Sequence, residues 1–203
     1  LNEKDTYKTI SFPAEEVLYK NKNSKFFGYC FPVFSEDQVS QILKKLRKEH
    51  HSARHWCYAF QIGTEQIYYR INDDGEPNGT AGLPIYGQIQ SFGLTNILVV
   101  VVRYFGGIKL GVSGLVSAYK ETAKITLENA PIVEKTIDKQ FIIKFDYSDI
   151  NLVMRVIKEK KLSIISQKLE LDCQIQIGIR KSETQVILDI FKAMHKVVVK
   201  EMD

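Results

Sequence analysis

The clearest pattern in the chain is an apolar run without interruption, Ile97–Val102, inside the segment Thr95–Phe105. Such a run leaves no face for water, so it predicts a strand covered on both sides. Upstream, Lys25–Phe34 (KFFGYCFPVF) is aromatic-rich and reads as a strand with Pro32 near its end. Tyr7–Phe12 alternates weakly, as an edge strand would. Ser35 followed by Gln38 fits a capping box and opens a helix through SEDQVSQILKKLRKEH. Val39, Ile42, Leu43 and Leu46 recur there at helical spacing, and the basic last turn suits the helix dipole. His55–Ile62 and Gln66–Ile71 read as a hairpin around Gly63. Pro84 fits the first turn of a helix reaching about Phe92, and a longer helix runs from Ser113 to Asn129, with Pro131 at its exit.

The remainder has a second rhythm. Phe141–Tyr147, Leu162–Lys168, Cys173–Arg180 and Val197–Val199 read as strands. Ser148–Lys160 has helical spacing through Ile150, Val153, Met154 and Ile157, and Ser182–His195 through Val186, Ile190 and Phe191. The order is βαβ-βαβ, the split ferredoxin-like arrangement. Lys135–Lys139 is a short polar connection, which divides an α+β protein into domains at 1–135 and 136–203.

Composition narrows the function classes. Divided near Lys135, the first part carries 16 basic and 14 acidic residues and the second 12 and 10, so each is +2. A clustered basic excess, the footprint of a strong nucleic-acid binder, is not visible in bulk charge. Cys30, Cys57 and Cys173 are odd in number and show no CxxC spacing, which points to reduced thiols and a cytoplasmic location. No apolar run is long enough for a membrane span, and the opening LNEKDTYKTI is too polar for a secretory signal.

Two loops hold the candidate chemistry. The first is Asn72-Asp73-Asp74-Gly75-Glu76-Pro77-Asn78-Gly79-Thr80-Ala81-Gly82, built almost wholly of turn residues. Asp73, Asp74 and Glu76 are oxygen ligands suited to Mg²⁺ or Ca²⁺, but the spacing is wrong for an EF-hand and an acidic solvated turn is the better explanation. The second is Arg103-Tyr104-Phe105-Gly106-Gly107-Ile108-Lys109-Leu110-Gly111-Val112-Ser113-Gly114. A glycine loop feeding a helix offers free N–H groups to an anion, and Arg103 and Lys109 add charge. Gly106 and Gly111 have P-loop spacing, yet Val112 stands where that motif needs lysine, and GxGxxG is absent. A tight strand-to-helix turn with close packing is the competing explanation. His55 reads as a polar residue at the mouth of the same surface. HExxH is absent, and neither a zinc set with His51 nor a nucleophile set with Ser113 or Thr80 finds its remaining members. Tyr68, Tyr69, Tyr104 and Phe105, interleaved with Arg70 and Arg103, suit either base stacking or core filling.

HWCYAFQIG, RINDDGEPNGTAGLPI and NILVVVVRYFGGIKLGVSGLVSAY resemble, in order and spacing, the signature blocks of the IMPACT/YigZ family. The resemblance covers roughly Ser24–Ala130, and the part that follows resembles the small second domain of bacterial YigZ-type members. It implies a ribosomal protein S5 domain 2-like fold followed by a ferredoxin-like domain similar to domain V of elongation factor G. It implies a role in translation regulation, since eukaryotic members bind the activator of a kinase that phosphorylates an initiation factor, through a chain with a further N-terminal domain. The expected activity is binding of RNA, the ribosome or a translation-related protein, with no cofactor. A phosphorylated or nucleotide-like small molecule, as ligand or substrate, and a protein–protein adaptor role are the alternatives. The surface the resemblance marks is His55, Asp73, Asp74, Gly75, Glu76, Pro77, Gly79, Thr80, Ala81, Gly82, Arg103, Tyr104, Gly106, Gly107, Lys109, Gly111 and Gly114.

Overall fold

The structure is a computed structural model describing residues 5–202. The chain forms two compact units, Tyr7–Lys135 and the segment from Thr136 onward, the latter joined by Asp5 and Thr6.

In the first unit, strands β1 (Thr6–Ile10), β2 (Val17–Asn21) and β3 (Ser24–Pro32) precede helix α1 (Glu36–Glu49). Then come β4 (His55–Ile62), β5 (Tyr68–Asn72), α2 (Gly82–Ser91), β6 (Ile97–Tyr104), α3 (Gly111–Glu128) and β7 (Ile132–Thr136). The main sheet is five-stranded, β2-β3-β6-β4-β5, and every pairing in it is antiparallel. Strand β6 is central. Its Ile97, Val99 and Val101 pack with α2 and α3, and Leu98, Val100 and Val102 with α1. Helices on both faces explain the unbroken apolar run, because alternation persists but both sides are dry. A sequence of this kind is usually a parallel strand; here an antiparallel one is covered equally well.

Capping of α1 differs from the expected box in one detail. Ser35 Oγ accepts from Gln38 N–H, but Gln38 Oε1 reaches past Ser35 to accept from the Phe34 N–H at 2.7 Å. Helix α3 lies directly on β3 at Gly28, where a Cβ would meet Thr126 Oγ1 at 2.0 Å. Two strands were not expected. Strand β2 pairs with β3, and β7 pairs with β1. Lys135–Lys139 is extended strand rather than loop: all but Ile137 lie in β7 or in the next strand.

The second unit runs β8 (Asp138–Asp146), α4 (Ile150–Glu159), β9 (Ser163–Lys168), β10 (Asp172–Arg180), α5 (Thr184–Lys192) and β11 (Val198–Glu201). Its antiparallel sheet has the order β11-β8-β10-β9. Phe141, Ile143 and Phe145 of β8 and Cys173, Ile175, Ile177 and Ile179 of β10 build the core under the helices. The expected α5 stripe needs one correction. Val186 is exposed and Ile187 is buried, so the face runs through Ile187, Ile190 and Phe191.

Candidate functional site

Both candidate loops leave the same end of the five-stranded sheet, because β5 ends there at Asn72 and β6 ends there at Tyr104. Period-two alternation then sends neighbours to opposite faces. Arg103 falls on the α2/α3 face and Tyr104 on the α1 face. Tyr104 hydroxyl lies 2.9 Å from His50 Nδ1, and His50 Nε2 lies 2.5 Å from Tyr29 hydroxyl, which donates in turn to Glu16. This chain of polar groups belongs to α1's side of the sheet. Tyr104 is thus not part of a surface shared with Arg103.

Arg103 is only 5% exposed and is not a surface cation. It lies between Phe26 and Phe105, with Nη1 donating to Glu76 Oε1 at 2.6 Å. Tyr119 of α3 donates to the same oxygen at 2.8 Å. Arg103 therefore cannot hold an RNA phosphate or stack a base, because a carboxylate inside the fold already neutralises it.

The three carboxylates of the acidic loop diverge. Asp73 Oδ1 accepts from the N–H groups of Ala81 and Gly82, and Oδ2 from Gly79, each at 2.9 Å. It supplies from outside the cap that Ala81, at the start of α2, has no side chain to give. Asp74 Oδ1 takes Arg47 of α1 at 2.7 Å and Oδ2 takes the Trp56 N–H at 2.7 Å. Glu76 takes Arg103 and Tyr119. One turn thereby fastens α1, α2 and α3 to the sheet end, and no two of its carboxylates share a focus. Among the described residues no cluster of three metal-ligating groups exists.

His55 closes the turn from the strand side. Its Nδ1 lies 2.9 Å from the Asp74 carbonyl, which can only accept, so Nδ1 carries the proton. Gly75 sits against this ring, where a Cβ would come 3.5 Å from Nδ1. Thr80 hydroxyl donates to Pro77 carbonyl at 2.6 Å, and Ser113 is exposed. Neither meets His55 as a nucleophile would meet a base. Tyr69 stacks on Tyr86 at 4.5 Å, Tyr68 donates to Glu36, and Arg70 pairs with Glu36.

The glycine loop explains its own composition. Gly106 passes so close to the β2–β3 turn that a Cβ would sit 2.1 Å from the Asn23 carbonyl carbon. Its N–H donates to Ser24 Oγ at 3.2 Å. Close packing, the competing explanation, therefore accounts for this glycine.

What remains is a cleft of about 350 Å³ where the loops converge, lined by Glu76, Pro77, Arg103, Phe105, Lys109 and Gly111, with Leu110, Val112 and Leu115 of the α3 entrance. Its walls are mostly apolar, and three apolar side chains of the loop stay exposed: Phe105 at 47%, Ile108 at 49% and Val112 at 64%. Of the marked surface, Glu76, Pro77, Arg103, Lys109 and Gly111 line this cleft. Asp73, Asp74, His55 and Gly79–Gly82 build the turn behind it. Tyr119, Arg47 and Leu115 are not among the residues singled out by sequence reasoning. Tyr119 was the one detectable from the sequence, since a tyrosine on the buried face of a helix needs a polar partner for its hydroxyl.

A two-unit mixed α/β protein whose acidic and glycine loops meet in one cleft is the class so defined. The Impact N-terminal domain model matches residues 22–127. An IMPACT family member of Haemophilus influenzae is 34% identical over 174 residues, 82% of this chain and 83% of that protein. YvyE, an IMPACT family member of Bacillus subtilis, is 29% identical over 179 residues, 88% and 82% of the two chains. The chain belongs to the IMPACT family. Human Protein IMPACT is 35% identical over 96 residues, 45% of this chain and 29% of its own length. A solved structure described as "an hypothetical protein" shares the fold at a TM-score of 0.74, with 24% identity and 98% of each chain covered. No helix among the described residues is long and apolar enough to cross a membrane.

Proposed function

We propose that the protein is a non-enzymatic binding protein of translation that docks a translation-related protein in the cleft between the acidic and glycine loops. The supporting observation is the division of labour at the sheet end. Every carboxylate there is engaged by a protein donor, so none is free as a base or metal ligand. The apolar cleft wall, by contrast, is exposed, with Phe105 and Val112 facing solvent and Ile108 exposed beside them. Exposed apolar side chains in a group mark an interaction surface.

The translational setting rests on the family, whose eukaryotic members regulate translation, and on the finer domain reading. That reading makes 1–135 ribosomal protein S5 domain 2-like and 136–203 ferredoxin-like, similar to domain V of elongation factor G. A cytoplasmic location goes with it. Among RNA, ribosome and protein partners, the cleft favours protein: Lys109 is its one exposed cation, and protein surfaces that bind RNA are rich in them.

Sedimentation of the protein with ribosomes and associated factors through a sucrose gradient tests the proposal. Wild type travels with the particles, and Phe105→Ser, which removes a half-exposed ring and no fully buried side chain, stays at the top. Equal sedimentation of both, or co-migration that disappears only with added salt, counts against the apolar cleft as the docking surface.

A further inference from the structure

Helices α2 and α3 begin at the same sheet end but are treated differently. The N-terminus of α2 receives the Asp73 carboxylate. The N-terminus of α3 receives nothing comparable: Leu110 gives no side-chain cap, and the first turn holds no acidic residue. Gly111, Val112 and Leu115 of that turn line the cleft. Free N–H groups and the helix dipole there favour one negative charge.

A second, independent observation lies in the cleft wall. Arg103 is 95% buried, and its Nε–H has no hydrogen-bond acceptor among the described residues. Its Nη1 is held by Glu76, so the guanidinium contributes an unmet donor without net charge. Lys109 on the loop adds one exposed cation, and it pairs with no carboxylate among the described residues. The sum is a helix start, one lysine and one orphaned donor buried in the wall of an apolar cleft. That balance suits a single carboxylate beside apolar groups and is too weak in positive charge for a phosphate. The cleft is open, and its apolar surface continues outward through Phe105, Ile108 and Val112. A segment longer than the cleft covers those side chains, and a free small molecule does not.

Resting on the docking role proposed above, we infer that the occupant is an acidic–apolar peptide segment of the partner, whose glutamate or aspartate carboxylate caps α3. The carboxylate takes the place at α3 that Asp73 holds at α2, and the flanking apolar side chains cover Phe105 and Val112.

The test is an NMR titration of the full chain with acetyl-Phe-Glu-Leu-amide, its Gln isostere, propionate and inorganic phosphate. The Glu peptide moves the amide signals of Gly111, Val112 and Ser113 and the Arg103 Nε–H signal, and the Gln peptide binds about fivefold or more weakly. Lys109→Ala weakens the Glu peptide about two- to fivefold, as for an exposed ion pair. Val112→Asp places a built-in carboxylate in the first turn, favours the helix, and abolishes the response. Four results overturn the inference: no movement of these signals, equal binding of the Gln peptide, tighter binding of phosphate, or propionate as effective as the peptide. If they occur while Phe105→Ser still abolishes sedimentation, the docking role stands and the carboxylate falls.

Discussion

Arg103 Nη1 lies 2.6 Å from Glu76 Oε1, and the two side chains are 6% and 4% exposed. This pair joins the two signature loops and forms part of the cleft wall. Removing one partner strands the other charge in a dry site, so Glu76→Ala should lower stability by about 3–5 kcal/mol. Replacing both, as Arg103→Met with Glu76→Leu, should recover most of the loss. Urea unfolding of the two single variants and the double variant measures this. Single variants within about 1 kcal/mol of wild type would show that the pair is not buried as described.

Asp73 accepts three amide hydrogens and caps α2. Asp73→Ala should release Gly79, Ala81 and Gly82 to fast hydrogen exchange and cost about 2–3 kcal/mol, in the range for hydrogen bonds to a charged group. Since Asp74 and Glu76 are engaged elsewhere, millimolar Mg²⁺ or Ca²⁺ should leave the wild-type melting temperature unchanged. A clear rise with either ion would mean that the loop opens to bind metal.

The double glycine separates two effects. At Gly106 an added Cβ meets Asn23 backbone, and at Gly107 it meets nothing, although φ there is +84°. Gly107→Ala should cost about 1–2 kcal/mol for a left-handed conformation. Gly106→Ala should cost more and should perturb the Lys22–Asn23 turn in NMR spectra. Equal costs would contradict the close approach.

Burial pushes the Cys30 thiol up to about 11 and raises Cys57 and Tyr119 further, with burial the leading cause at each. Each group is held neutral in the fold. Its stabilising contribution is complete below the unfolded value, near 8.5 for cysteine and 10 for tyrosine, and is lost as pH rises toward the folded value. The denaturation midpoint should therefore fall from about pH 8.5 upward. A thiol reagent at pH 8 should label Cys30, Cys57 and Cys173 only after unfolding, since all three are buried. Native labelling of Cys57 would contradict its packing against Asp73 and Tyr119.

Much of the architecture was legible because the periodicities were strong. Ile97–Val102 announced a strand covered twice, and the alternation of β8 and β10 announced the second unit. Strand β2 was not legible. Its turn to β3 uses Lys22 and Asn23 at φ of +43° and +65°, the geometry of a two-residue hairpin without the glycine that signals it. The roles of the acidic loop were hidden for a different reason. Asp74 meets Arg47 across 27 residues, and Glu76 meets Arg103 across 27 and Tyr119 across 43. Spacing along the chain carries no trace of such partners, so carboxylates that fasten helices looked the same as carboxylates that bind metal. Val186 misled for a third reason, since an apolar residue on an exposed helix face matches the stripe at one position and breaks it in space.

Docking at the cleft is tested by photocrosslinking in growing cells, with benzoylphenylalanine in place of Val112 at the cleft and, separately, in place of exposed Leu171 in the second unit. A discrete crosslink is expected from position 112 to a translation-related protein, lost when Phe105→Ser is added, with no such product from position 171. Crosslinking to RNA alone, the same product from both positions, or none from position 112 would contradict it.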